Sequence, residues 1–169
     1  RLAWVTGQLI FFMFTAFSYN LIIFLGSLIP NCINSFVANG WSEVITKYGT
    51  LFPEKSSSFA ARLSTEELFN QVSPYMAAAA SFALNFLYML LLSMILLLFH
   101  VLELRKIGLP IAISVVGIGS ALGIFKSWGM WLFPMPHTMI SLHYTKYLKE
   151  PIMSVTKSVV YFILVILNR

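Results

Sequence analysis

Apolar residues run along this chain in blocks far longer than a soluble core helix requires. From Leu2 to Ser42 and from Leu68 to Leu102 there is no Lys, Arg, Asp or Glu, and Lys106 and Lys126 bracket a third such block. A transmembrane helix needs about 20 consecutive apolar residues. The pattern therefore predicts spans at 3–29, 75–102 and 107–125, with a fourth at 152–168. Pro30 and the polar group Asn31, Asn34 and Ser35 are expected to end the first. Lys157, the one charge inside a span, lies near a helix end and can snorkel to the interface. The predicted fold is all-α, a polytopic helical membrane protein of one domain. Its four transmembrane helices alternate with short interfacial or re-entrant helices.

The connections are unequal. Residues 31–73 form an extramembrane loop with short helices of its own. Trp41, Val44, Ile45 and Tyr48 share one face at i, i+3, i+4 and i+7, opposite Glu43 and Lys47, as in a helix lying in the interface. Ser64-Thr65-Glu66-Glu67 reads as a capping box, with Leu63 and Leu68 as its staple. Ser73-Pro74 caps the second span. The second and third spans are joined only by the tight turn Glu103-Leu104-Arg105-Lys106, which makes them antiparallel neighbours. Residues 126–150 are amphipathic and carry Trp128, Trp131, His137, His143, Tyr144 and Tyr147. Two short helices broken at Phe133-Pro134-Met135-Pro136 describe this segment. The abrupt start at Arg1 and end at Arg169 are those expected of a fragment cut from a larger protein at a membrane face.

Composition supports lipid as the solvent. Of 169 residues, 59% are apolar and 10% charged, against about 25% charged in soluble domains. The net charge of +5 is scattered over loops instead of forming a stripe, which argues against a nucleic-acid partner and for anionic headgroups. More positive residues fall on the loop side than on the side of the tight turn and chain ends, so charge alone leaves the membrane orientation open.

Candidate chemistry is sparse. There is no Asp, no phosphate-binding loop, no HExxH, no CxxC and no GxSxG, and Cys32 is single. No catalytic residues, no metal and no cofactor are expected in this chain, because His137 and His143 stand six apart instead of three or four. The third span carries Gly119 and Gly123 as a GxxxG pair and Ser114, Gly117 and Ala121 as a second small-residue row, both suited to close helix packing. Gln8, Asn20 and Asn85 are the uncharged polar residues of the spans. They bind helices together or, with Lys157, mark a substrate pathway.

The order of long span, external loop, tight turn and aromatic external region resembles the later part of an ABC-2 type permease, the six-helix membrane subunit of many bacterial ABC exporters. The long loop 31–73 is more similar to permeases linked to bacteriocin or lantibiotic export and self-protection. This resemblance implies two further helices before Arg1, a multi-pass position in the bacterial plasma membrane, and a second permease subunit in a homo- or heterodimer. It implies ATP hydrolysis in a separate nucleotide-binding subunit, with Glu103, Arg105 and Lys106 on the side that faces it. A hydrophobic or amphipathic cargo such as a peptide or lipid is expected. The alternative is a non-transporting scaffold or sensor subunit of a larger complex.

Overall fold

The computed structural model describes residues 2–34, 40–55, 66–125, 127, 129–144 and 153–167. Eight α-helices follow one another, and no strand occurs among the described residues. They are α1 (Leu2–Asn34), α2 (Glu43–Thr46), α3 (Tyr48–Leu51), α4 (Glu66–Gln71), α5 (Pro74–Val101), α6 (Arg105–Ile124), α7 (Pro134–Thr138) and α8 (Val155–Leu167). Short 3₁₀ turns at Pro53–Lys55, Met130–Leu132 and Ile140–His143 complete them. Three helices are long and apolar enough to cross a membrane: Ala3–Ile29, Pro74–Val101 and Lys106–Ile124. These are the first three spans expected, shifted by one residue at most, and they are compatible with a multi-pass membrane protein. The fourth differs. α8 has 13 residues, which at 1.5 Å each reach roughly 20 Å, short of a hydrocarbon core about 30 Å thick.

One expected helix end also moves. α1 continues through Pro30 to Asn34. A proline deletes only the i→i−4 bond of its own missing N–H, and the remaining backbone bonds carry the helix on. α6 likewise runs through Pro110, whose carbonyl accepts a 2.8 Å bond from Ser114 Oγ. In the loop between α1 and α5, the single interfacial helix expected around Trp41 is two separate turns, α2 and α3, divided at Lys47 (φ −106°, ψ 15°). Trp41 precedes both, because Ser42 is the N-cap of α2. Its indole donates a 2.7 Å bond to the Val72 carbonyl and its ring meets Phe69 edge-on at 4.8 Å, tying the loop to the foot of α5. The capping-box residues Ser64 and Thr65, with Leu63, lie outside the described residues. Ser73 caps α5 as its sequence suggests, accepting from the Met76 amide at 3.4 Å, with Pro74 in the first turn.

α5 is the hub, in contact with α1, α6, α7 and α8. Leu84, Tyr88 and Leu91 recur at i, i+4 and i+7 and meet Phe162 of α8 to form the buried core. α1 packs mainly on α5, and much of it faces outward, with Phe14 72% exposed. In lipid such a face is solvated by acyl chains and needs no protein cover.

The turn between α5 and α6 is three residues long. Leu104 N–H bonds the Phe99 carbonyl at 2.9 Å, Glu103 N–H bonds that of His100 at 3.2 Å, and Glu103 adopts φ 61°. This is the Schellman helix end, in which the left-handed residue is usually glycine. A Cβ in that conformation costs roughly 1–2 kcal/mol. Glu103→Gly is therefore expected to raise the thermal midpoint in detergent by relieving about 1 kcal/mol of strain. An unchanged or lower midpoint would show that the glutamate side chain makes good the loss. Arg105 and Lys106, expected within the turn, open α6 instead.

Candidate functional site

Two groups of polar side chains sit where the helices meet. The first joins α1 to α5. Asn20 is 3% exposed; its amide donates to the Phe82 carbonyl at 2.8 Å, and its Oδ1 accepts from Asn85 Nδ2 at 2.7 Å. Stacked or edge-on pairs Trp4–His100, Phe17–Phe86 and Phe24–Phe82 flank this clasp, each step forward on α1 meeting a step back on α5. The two helices are thus antiparallel and in fixed register. A cleft of about 380 Å³ opens beside the asparagines and is also lined by Ser81 and Thr138. Of the three residues expected along a pathway, Asn20 and Asn85 meet here. Lys157 does not line this cleft; it lies in the first turn of α8 and is exposed, as its ability to snorkel suggests.

The second group is built by residues 130–143, which fold back against α5, α6 and α8. Pro134 starts α7 instead of breaking a helix, since a proline at the first position lacks only an amide that would have no helical partner. Pro136 and His137 are buried by this packing. The GxxxG pair of α6 receives the segment. A Cβ on Gly119 would lie 2.9 Å from Met135 Cβ, and one on Gly123 would lie 3.2 Å from Met139 Sδ. Gly119 and Gly123 thus make room for the folded-back segment and not for another long helix. The second small row differs from the expectation: Ser114, Gly117 and Ala121 are exposed, and nothing approaches Gly117 within 4 Å. The close approach of α5 to α6 occurs at Gly108, where a Cβ would meet Phe99 Cβ at 2.6 Å. Gly108, Ala112, Gly119 and Gly123 form the buried stripe. Its 4-7-4 spacing was present in the sequence, but the larger residues between Ala112 and Gly119 obscured it.

His137 and His143 are 0% and 1% exposed. His137 Nε2 lies 2.8 Å from the Trp131 carbonyl and Nδ1 lies 2.8 Å from Ser158 Oγ. The neutral Nε2–H tautomer satisfies both contacts, donating to the carbonyl and accepting from the hydroxyl. Its ring stacks on Tyr161 at 4.1 Å. Around His143 both neighbours are carbonyls, that of Met153 at 2.6 Å from Nδ1 and that of His137 at 3.1 Å from Nε2. Only a doubly protonated ring donates to both. Trp131 lies 5.3 Å from each imidazole, and its Nε1 is buried without a partner among the described residues.

Burial pushes the His137 proton affinity below the ordinary value of 6.5; the Trp131 carbonyl partly opposes this and the neighbouring His143 adds to it. The folded protein thus holds His137 neutral at a pH where the unfolded chain already takes up a proton. Such a group lends stability above pH 6.5 that is lost as pH falls toward its depressed folded value. Thermal midpoints measured from neutral pH downward are expected to fall more steeply for the native protein than for His137→Gln. Parallel curves would remove His137 as the source.

No cluster of three or more His, Cys, Asp or Glu suited to a metal occurs among the described residues. That asparagines of the spans hydrogen-bond between helices was legible in sequence; that Asn20 meets Asn85 was not. The histidine cluster was not, because its partners are mainly backbone carbonyls. Comparison with known protein families, curated proteins and solved structures yields no match to this chain.

Proposed function

We propose that this chain is the membrane-spanning permease subunit of an ATP-driven exporter of the ABC type, moving a hydrophobic or amphipathic substrate such as a peptide or lipid. The observation that carries the reading is residues 130–143 folding back onto α5, α6 and α8, beside a polar cleft between two long apolar helices. A segment seated on α5, α6 and α8, against two glycines of α6, can shift with them, and Thr138 at the end of α7 reaches the cleft. Segments of irregular backbone are tolerated at membrane depth where protein buries them, and such segments line transport routes.

In this reading α8 belongs to a fourth span, and the chain resides in the bacterial cell membrane. Energy comes from ATP in a nucleotide-binding partner. Exposed Glu103 and Lys106, with Arg105, present the tight turn to that partner on the cytoplasmic side. A second permease subunit, identical or related, closes the pathway.

The test is purification of the tagged protein from its native membrane. A nucleotide-binding ATPase recovered at one copy per chain, with ATP turnover that changes on adding substrate, supports transport. Recovery of a stable complex lacking any ATPase favours the scaffold or sensor reading instead.

A further inference from the structure

We propose that the α1–α5 cleft is a binding site for a bilayer lipid with an uncharged, hydroxyl-bearing head of the diacylglycerol kind. The head position is defined by hydrogen-bonding capacity that the protein leaves unused. Asn85 spends one N–H on Asn20, and its Oδ1 has no donor among the described residues. Ser81 has no hydrogen-bond partner among the described residues either, whereas Ser93, Ser114 and Ser120 each satisfy their hydroxyls on the carbonyl four residues earlier. Both groups line the cleft of about 380 Å³. Asn85 stands eleven residues into α5, roughly 16 Å along its axis and near the middle of a hydrocarbon layer about 30 Å thick. Water is scarce at that depth, so an unpaired amide oxygen favours a ligand that brings a donor.

The lining also selects against charge. No Lys, Arg, Asp, Glu or His borders the cleft, and an ion placed there would have no counter-charge in a medium that penalises it heavily. The tail position adjoins the head. Phe17 meets Phe82 at 5.9 Å and Phe86 at 6.1 Å. The cleft is itself lined by Ile23, Phe24, Ala78 and Phe82 beside its unpaired groups. Hydrogen-bonding groups set among apolar side chains match a molecule with a small neutral head and an acyl chain. The proposal is independent of transport, since binding requires neither ATP nor a partner.

The test uses the full chain in phosphatidylcholine vesicles, with a photoactivatable diacylglycerol and, separately, a photoactivatable phosphatidylglycerol carrying the same chain. Diacylglycerol is expected to label peptides within 20–27 and 78–85 in preference to phosphatidylglycerol. Ser81→Ala, which removes a hydroxyl that holds nothing in the fold, should reduce that preference about threefold to tenfold, the worth of one hydrogen bond. Equal labelling by the two probes, or labelling spread evenly over the outer face of α1, overturns the proposal in favour of ordinary boundary lipid. Preference unchanged in Ser81→Ala overturns the assigned head position.

Discussion

Gly119→Leu is expected to displace residues 130–143 from the helix bundle and to cost more than about 3 kcal/mol of stability. Even the first added carbon would lie 2.9 Å from Met135 Cβ and 3.3 Å from Phe133 Cβ, atoms fixed to backbone that cannot rotate aside. Glycine-to-alanine replacement in a helix normally gains about 1 kcal/mol of propensity, so Gly119→Ala sets that gain against the clash and should fall between native and Gly119→Leu. Gly123→Ala meets the mobile sulfur of Met139 at 3.2 Å and should be milder. Gly117→Leu, with nothing within 4 Å, should leave stability intact. Gly108→Ala tests the other close approach: a carbon 2.6 Å from Phe99 Cβ must wedge α5 from α6 near their turn, at a cost of about 1–3 kcal/mol. Thermal unfolding in detergent ranks the five variants. A Gly117 variant as damaging as Gly119→Leu would mean that the exposed row is a contact surface and that the folded-back segment is not what the glycines serve.

His143→Leu is the second large effect expected. It preserves bulk but removes the ring nitrogens that lie 2.6 Å from the Met153 carbonyl and 3.1 Å from the His137 carbonyl. A carbonyl left without its N–H donor there costs about 1–3 kcal/mol. The loss reaches beyond the residue, because one carbonyl belongs to α7 and the other lies just before α8. His143 pins the folded-back segment to the last helix. Limited proteolysis should cut the variant faster within 130–154, while His100→Leu, at an exposed position, should change stability by less than about 0.5 kcal/mol. Native-like proteolysis of His143→Leu would show that the two carbonyls find other donors.

The pair of predictions puts the mechanical weight of the molecule on the segment after α6, a part whose character sequence patterning conveys only coarsely. Its aromatic and proline content marked it as neither a span nor an ordinary loop. Whether it lies on the bilayer surface or turns inward depends on what receives it, and the receiver is a stripe of small residues thirteen or more positions away. The same holds for Pro30. A proline followed by polar residues reads as a helix end, yet the other backbone bonds carry α1 on to Asn34.

Hydrophobic length determined the three long apolar spans to within a residue, though not the end of α1 at Asn34, and the tight turn determined the antiparallel arrangement of α5 and α6. Lipid demands an uninterrupted apolar run, and a three-residue connection leaves no other geometry. Ser73-Pro74 specified the start of α5 for a similarly local reason, a side chain bonding an amide three residues on. Tertiary structure decided the rest: that Gly119 and Gly123 face a folded-back segment while Ser114, Gly117 and Ala121 face outward, that Asn20 finds Asn85 but not Lys157, and that two histidines six residues apart bond backbone carbonyls. Each of these depends on which face of a nearly all-apolar helix turns inward. A helix apolar on every side carries little information about that choice, so close packing and buried hydrogen bonds settle it.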